Sequence, residues 1–470
     1  MAETSYIDAV AAAPELALRR WQRVLPSLVG LAAFLGMALL WVYGDHALYL
    51  HVLRLWGMAP FDYPFLDLDG NLAAWECSRQ GIDVILADPC DVLQRGYNYS
   101  PLWMSIDGIP LGRQDRIPCG IALCVAFLLS LSALPPPLSW AETGLRVGGV
   151  LSTMAAFALE RANPDLFVFL LVLAMTALLR GPTIARAVGY GLGFLGGAFK
   201  YYPFIVLGLM ARERVRVLLA MGAAALTAFT IFVAVYFRQI AEGLPHIASG
   251  GPFGEMFGAK NFIMGMFLII RRMLDPTAGV MVTKVDGALI RLGVIALGVT
   301  ILFIALVARC AVKLWRASDV RGALRHLDEP RRLALVAGAL LLSGCFIMGQ
   351  SVSYRGVALF FVLPGLYAMG RDKAAGLIGR AARYAAVGIV PLMWTEGIRL
   401  WTHWVLTGEI PDPRAAKVIG QPLADGVLWF ARELAWWSLV ALFILIIVAF
   451  VQEAPLFNRQ RPSAVVRPAS

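Results

Sequence analysis

Charge is scarce in this sequence. Only 15% of its 470 residues are Asp, Glu, Lys or Arg, while 59% are hydrophobic and the mean hydropathy is +0.71. Soluble domains carry about 25% charged residues, so an ordinary soluble chain is excluded and a membrane protein is implied. Histidine is rarer still: the five present show no metal-ligand spacing, and nothing resembles a zinc site. No Walker-type glycine loop is found, which removes the usual sign of nucleotide triphosphate use. No soluble domain, internal repeat or low-complexity stretch stands out, so residues 1–470 read as one transmembrane domain. A cleavable leader is not expected, because the first 24 residues are mixed in character and Leu25 to Tyr43 is long enough to span and remain as a first helix. Of six cysteines, Cys119, Cys124, Cys310 and Cys345 lie in or beside apolar runs and read as small core residues. Cys77 and Cys90 share one polar loop. Spacing alone leaves a disulfide between them open, and an oxidising compartment would allow it.

What the chain has instead is a series of apolar runs. Spans are expected near 25–43, 118–134, 145–159, 165–179, 188–199, 203–211, 214–236, 288–309, 332–350, 356–370, 384–402 and 428–451. The fold class is therefore all-α and polytopic, with about 10–12 membrane helices, several too short for a straight crossing and so broken or re-entrant. The net charge of +10 does not point to nucleic acid, because the excess sits in short loops, where it sets topology. Arg19, Arg20 and Arg23 precede the first span. Further clusters fall at 309–332, at Arg371, Lys373, Arg380 and Arg383, and in the tail at Arg459, Arg461 and Arg467. N- and C-termini are accordingly expected in the cytoplasm of a bacterium, with the chain in the inner membrane. The first large loop, 44–117, carries ten acidic residues against five arginines and belongs outside. Basic residues flank 188–211 at both ends (Arg180 and Arg186; Arg212, Arg214 and Arg216). A broken pair with Lys200-Tyr201-Tyr202-Pro203 at its outer tip resolves that conflict. Irregular backbone at membrane depth is tolerated only under protein or beside a wet cavity, so the break suggests a site. Loops 160–164, 237–287, 351–355 and 403–427 then also lie outside. Phe262 to Leu274 reads as an amphipathic stretch along the surface.

The outer side holds the chemistry. Asp67 and Asp69 in Phe65-Leu66-Asp67-Leu68-Asp69-Gly70-Asn71 suit a general base or a divalent-cation ligand. The competing reading is that one of them caps a helix through Leu72. Asn163 before Pro164 reads first as a helix N-cap, with Glu160 and Arg161 as a pair. Lys200, at an outer helix break, is either a partner for a phosphate or an outer acid, or a side chain snorkelling to the interface. Arg355, in Ser351-Val352-Ser353-Tyr354-Arg355, opposes the topology rule and offers a fork that matches phosphate, while Tyr354 can stack or donate a hydrogen bond. Tyr99 and Trp103 suit a membrane interface. Arg238, Lys260, Arg271, Arg272, His246 and His403, taken singly, read as solvated or interfacial. Outer acids and outer cations at helix breaks together suit a base-catalysed displacement of a phosphate-linked group, with the cations stabilising the departing phosphate. Nucleotide sugars are not expected on that side, so the donor should be lipid-borne.

The chain resembles the GT-C glycosyltransferases, and more narrowly the polyprenol-phosphate-mannose-dependent α-1,2-mannosyltransferase family. The pieces that carry the resemblance are Phe65-Leu66-Asp67-Leu68, Gly81-Ile82-Asp83-Val84, Asn98-Tyr99-Ser100-Pro101-Leu102, Asn163 at a span start, Lys200 with Pro203, and Tyr354-Arg355. The resemblance implies Asp67 as catalytic base, with Asp69 as the second candidate acid. Lys200 and Arg355 become donor-phosphate contacts, and Asn163, Tyr99 and Tyr354 further substrate contacts. It implies a polyprenyl-phosphate sugar donor, a lipid or glycan acceptor, and inversion at the anomeric carbon. No cofactor is expected, though a divalent metal at Asp67 and Asp69 stays open. Two departures leave the sugar open, with mannose the default: Gly70-Asn71 stands where the family tends to have an aromatic residue, and the Cys77/Cys90 pair is not expected of the whole family. A transporter or flippase of lipid-linked saccharide is the alternative from another class, and a surface-polysaccharide polymerase or ligase would be a related enzyme with a different donor.

Overall fold

The computed structural model describes residues 2–58, 60–85, 88–94, 96–247, 251–254, 256–274, 287–408 and 426–457. The tail cations Arg459, Arg461 and Arg467, and most of 403–427, lie outside them. The chain is an all-α polytopic membrane protein. Its helices are α1 (Ala2–Tyr43), α2 (His46–Leu55), α3 (Leu66–Arg79), α4 (Arg116–Ser130), α5 (Trp140–Val150), α6 (Thr153–Arg161), α7 (Pro164–Leu178), α8 (Thr183–Lys200), α9 (Val215–Gly243), α10 (Ala259–Leu274), α11 (Gly287–Arg316), α12 (Val320–Arg325), α13 (Glu329–Ile347), α14 (Leu359–Arg371), α15 (Gly376–Met393), α16 (Thr395–Thr407) and α17 (Leu428–Gln452). A two-stranded antiparallel ribbon, β1 (Met256–Phe257) and β2 (Ser351–Val352), pairs Met256 with Val352.

Six segments among the described residues are long and apolar enough to cross a membrane alone: 20–43, 113–133, 215–243, 289–316, 329–347 and 428–452. Other runs expected from sequence are shorter or broken. The run at 145–159 is split at Leu151-Ser152 into α5 and α6, and the run at 384–402 breaks at Trp394 between α15 and α16. Helices α6 and α7 pass the same test only as a pair bent by 106°. Broken runs were expected from their length, but the break points at Leu151-Ser152 and Trp394 were not.

The broken pair expected at 188–211 is present. Helix α8 ends at Lys200, Tyr201 takes the unusual φ of 56°, and a 3₁₀ helix over Tyr202–Arg212 runs back along α8. Tyr190 in α8 donates to Leu209 O at 3.3 Å and Glu213 at 3.0 Å, and Arg186 meets Glu213 at 2.9 Å. Both ends therefore return to one side. The freed carbonyls of α8 accept from the first loop: Ser100 Oγ donates to Ala198 O (2.5 Å) and the Trp103 indole to Phe199 O (3.2 Å). Buried helix ends need such partners.

The basic segments gather at one end of the bundle. Arg23 reaches Ser132 O at 2.6 Å, Arg331 reaches Pro136 O, Arg371 reaches Leu138 O at 3.3 Å, Arg212 pairs with Glu329 at 2.5 Å, Arg325 with Glu453 at 2.8 Å and His326 with Asp372 at 2.9 Å. Helix α13 starts in this group and, at 19 residues, carries the chain about 28 Å to the opposite end. There α3, the α6–α7 bend, the α8 break and β2 meet.

The first loop is a folded cap. Cys77 and Cys90 form a disulfide, which answers the question left open by spacing. Trp75 donates to Trp103 O at 2.8 Å, Ser78 to Asp107 at 2.7 Å, and Tyr97 to Asn71 Oδ1 at 2.9 Å. Arg79 donates to the carbonyls of Asp107, Ile109 and Leu111. The core beneath is built mainly from α4, α7, α13, α14 and α17, including Phe127, Phe169, Phe346, Phe361 and Phe443, each at most 2% exposed.

Candidate active site

Three strained corners aim the site residues. Phe65 sits before α3 with φ 67°, Ala162 between α6 and α7 with φ 42°, and Tyr201 after α8 with φ 56°. A positive φ in a residue with a Cβ is uncommon and costs energy, so surrounding structure must hold it. At Phe65 the holding is explicit. Its amide donates to Glu160 O at 2.6 Å, and its ring lies where a Cβ on Gly120 of α4 would come within 2.3 Å. Only glycine leaves room there. Asp67 follows two residues later in the first turn of α3, where Phe65 and not an aspartate occupies the N-cap position. The helix-cap reading of Asp67 and Asp69 is thereby overturned.

From these corners a line of alternating charge is assembled. Asp67 Oδ2 accepts from Asn163 Nδ2 at 2.6 Å, and its Oδ1 lies 3.8 Å from Arg161 Nη1. Arg161 also pairs with Glu160 at 2.9 Å and stacks on Phe61 (4.3 Å) and Phe157 (4.7 Å). Asn163 is both the N-cap of α7, accepting from the Asp165 amide at 2.9 Å, and a bridge, since its Oδ1 accepts from Lys200 Nζ at 2.7 Å. A side-chain hydrogen bond joins it to Tyr354. Lys200 lies 3.0 Å from Asp165 Oδ2, and Arg355 Nε lies 3.6 Å from the same oxygen. Tyr99 and Tyr354 flank the Lys200 ammonium at 5.6 and 5.4 Å, and Tyr202 lies under the Arg355 guanidinium at 4.8 Å. Arg355 further donates to Cys345 Sγ (2.9 Å) and Ser351 Oγ (2.5 Å).

Six of the residues singled out from sequence, Asp67, Tyr99, Asn163, Lys200, Tyr354 and Arg355, thus come together. Asp69 does not join them. Two residues along α3, it turns to the other side, where Arg113 (3.2 Å), Arg116 (3.5 Å) and the Tyr63 hydroxyl (3.3 Å) enclose it. Burial, then the Asp69 carboxylate, push the Tyr63 hydroxyl up to about 12, which keeps Tyr63 a neutral donor. The two aspartates have separate partners and do not form one chelating face. Among the described residues the sole cluster of metal-type ligands is Cys77, Asp88 and Cys90, whose two sulfurs are consumed by the disulfide.

Sequence reasoning passed over Asp165 and Tyr202, and left Arg161 as a local pair. An acid directly after Asn-Pro at an apolar run was the available signal for Asp165. A second buried cluster was also missed. Arg432 and Glu433 of α17 meet Glu396 and Arg399 of α16: Arg432–Glu396 3.1 Å, Arg432–Glu433 3.1 Å and Arg399–Glu396 3.0 Å. Arg432 also donates to Gly254 O and Pro252 O, both at 2.6 Å, and Asn261 donates to Glu433 at 2.6 Å. Ionisable residues inside apolar runs were the cue.

No protein-family model, curated protein or solved structure matches this chain. Its function is therefore read from the geometry of the site and from the residue pattern.

Proposed function

We propose that this protein is a membrane-embedded inverting glycosyltransferase. It moves a hexose, by default mannose, from a polyprenyl-phosphate carrier to a hydroxyl of a lipid or glycan acceptor on the outer face of a bacterial inner membrane. The observation that carries this reading is the line Arg161–Asp67–Asn163–Lys200–Asp165–Arg355, in which the Asn163 amide bridges the Asp67 carboxylate to Lys200 and Asp165 joins Lys200 to Arg355.

In the proposed step Asp67 takes the proton from the acceptor hydroxyl. That oxygen forms a bond to the anomeric carbon from the face opposite the phosphate. The carbon–oxygen bond to the phosphate breaks, and its electron pair leaves on the phosphate oxygen. Negative charge grows there, and Lys200 and Arg355 are the groups to receive it. Asn163 donates to Asp67, so the other oxygen is the one aimed at the acceptor. Arg161, 3.8 Å from that same Oδ1, is the cation beside it. Tyr99 and Tyr354 supply aromatic faces of the kind that pack on sugar rings and hold an ammonium. The Cys77–Cys90 disulfide supports an oxidising outer compartment for this end of the bundle, and the arginine-rich end suits the cytoplasm.

The test is transfer of labelled sugar from polyprenyl-phosphate-mannose, and then from other polyprenyl-phosphate hexoses, in membranes with and without the protein. Protein-dependent transfer to an acceptor is the expected result. Movement of intact lipid-linked saccharide across the bilayer, with no transfer from any of these donors, would instead assign a flippase.

A further inference from the structure

Asp165 takes no part in the transfer step above, yet both cations converge on it. Its Oδ2 faces Lys200 Nζ at 3.0 Å and Arg355 Nε at 3.6 Å, and its Oδ1 accepts from the Tyr202 hydroxyl at 2.7 Å. It is 2% exposed and stands in the first turn of α7, tied by its amide to Asn163. One carboxylate therefore joins the end of α8, the start of the returning 3₁₀ helix, and the 353–358 turn. Lys200 is 9% exposed. Buried cations without a counterion are strongly disfavoured, so an empty anion site needs such an acid to keep its cations charged and aimed. The same acid repels an anionic ligand that seeks those cations.

We infer that Asp165 is the resident counterion of an anion site for a lipid phosphate monoester. It positions Lys200 and Arg355 while the site is empty, and it competes with the phosphate when the ligand arrives. The inference rests on the proposed assignment of Lys200 and Arg355 to the phosphate. It predicts opposite signs for two observables, a pattern that a purely structural role does not give. Asp165→Asn keeps the size of the side chain and removes its charge, so the empty protein loses stability while phosphate binding tightens.

The experiment is thermal unfolding of the full-length protein in detergent, titrated with a short-chain isoprenyl monophosphate and, in parallel, with the uncharged isoprenol. Asp165→Asn is expected to unfold at a lower temperature when empty, and to be stabilised by the monophosphate at about tenfold lower concentration than wild type. The isoprenol should act equally on both. Equal or weaker monophosphate binding by Asp165→Asn overturns the inference while leaving the phosphate assignment standing. A wild-type protein that the monophosphate does not stabilise removes the phosphate assignment, and the inference with it. If Asp165→Asn does not fold, Tyr202→Phe serves. It keeps the ring under Arg355 but strips a hydrogen bond from Asp165, leaving that carboxylate a stronger competitor. Monophosphate binding should then weaken about threefold, and unchanged or tighter binding would contradict the inference.

Discussion

Two buried charge clusters lie at the same end of this bundle, and they are built differently. Each balances acids against cations: Glu396 and Glu433 against Arg399 and Arg432 in one, Asp67, Asp165 and Glu160 against Arg161, Lys200 and Arg355 in the other. Arg432 directs its donors at the Pro252 and Gly254 carbonyls as well as at carboxylates, and its side chain is 3% exposed. That is a clamp on the 251–254 segment next to β1. Lys200 and Arg355 meet only side chains among the described residues, are flanked by tyrosine rings, and Arg355 keeps 20% of its side chain exposed. Donors locked to main chain hold a fold together. Donors shared among side chains, on a guanidinium that keeps some exposure, can be redirected to a ligand. Gln350, which donates to Asn261 at 3.2 Å, joins the two clusters through the strand that precedes Arg355.

The contrast breaks most visibly at Arg432. Arg432→Ala leaves Glu396 and Glu433 buried without their shared cation, a loss of about 3–5 kcal/mol. Measured by thermal or denaturant unfolding in detergent, it should be the most destabilising of these changes, and a mild effect would mean that the cluster is not a clamp. Next is the cap. Cys77→Ser with Cys90→Ser removes a cross-link worth about 2–4 kcal/mol and loosens the Ser100 and Trp103 bonds to α8. Unfolding midpoint and transfer rate should fall together, and reducing agent should have little effect on the double variant. Smaller again, Arg355→Ala should raise the KM for donor about ten- to a hundredfold with little change in acceptor KM, and with a stability loss well below that of Arg432→Ala. Equal effects on the two substrates would argue against a phosphate role.

Much of this contrast was open to sequence reading on one side only. Positive charge out of place marked Lys200 and Arg355, and basic residues at both ends of 188–211 required a broken pair. Asn163 was legible as an N-cap from the Asn-Pro pair alone. Its second role was not, because a bridge from Asp67 to Lys200 depends on three chain segments meeting in space. The divergence of Asp67 and Asp69 follows from helical geometry, where residues two apart do not face the same way. Treating the stretch as a loop hid it. The corners at Phe65, Ala162 and Tyr201 carry no glycine and so gave no local signal, since it is the packing around them that imposes the backbone. The clamp escaped because its partners, Glu396 and Arg399 on α16 and Arg432 and Glu433 on α17, meet only in the folded chain.

The central claim is that Asp67, and not its neighbour in α3, is the base for transfer. The most direct measurement compares sugar transfer from polyprenyl-phosphate-mannose by purified wild type, Asp67→Asn and Asp69→Asn, each checked for folding by its unfolding midpoint. Asp67→Asn should lose about 10²–10⁴-fold in rate with its midpoint nearly unchanged. Asp69→Asn should transfer within about threefold of wild type while unfolding earlier, because Arg113 and Arg116 lose their partner, at a cost of about 1–3 kcal/mol. Full activity in Asp67→Asn, or loss of activity only in a folded Asp69→Asn, would contradict the assignment.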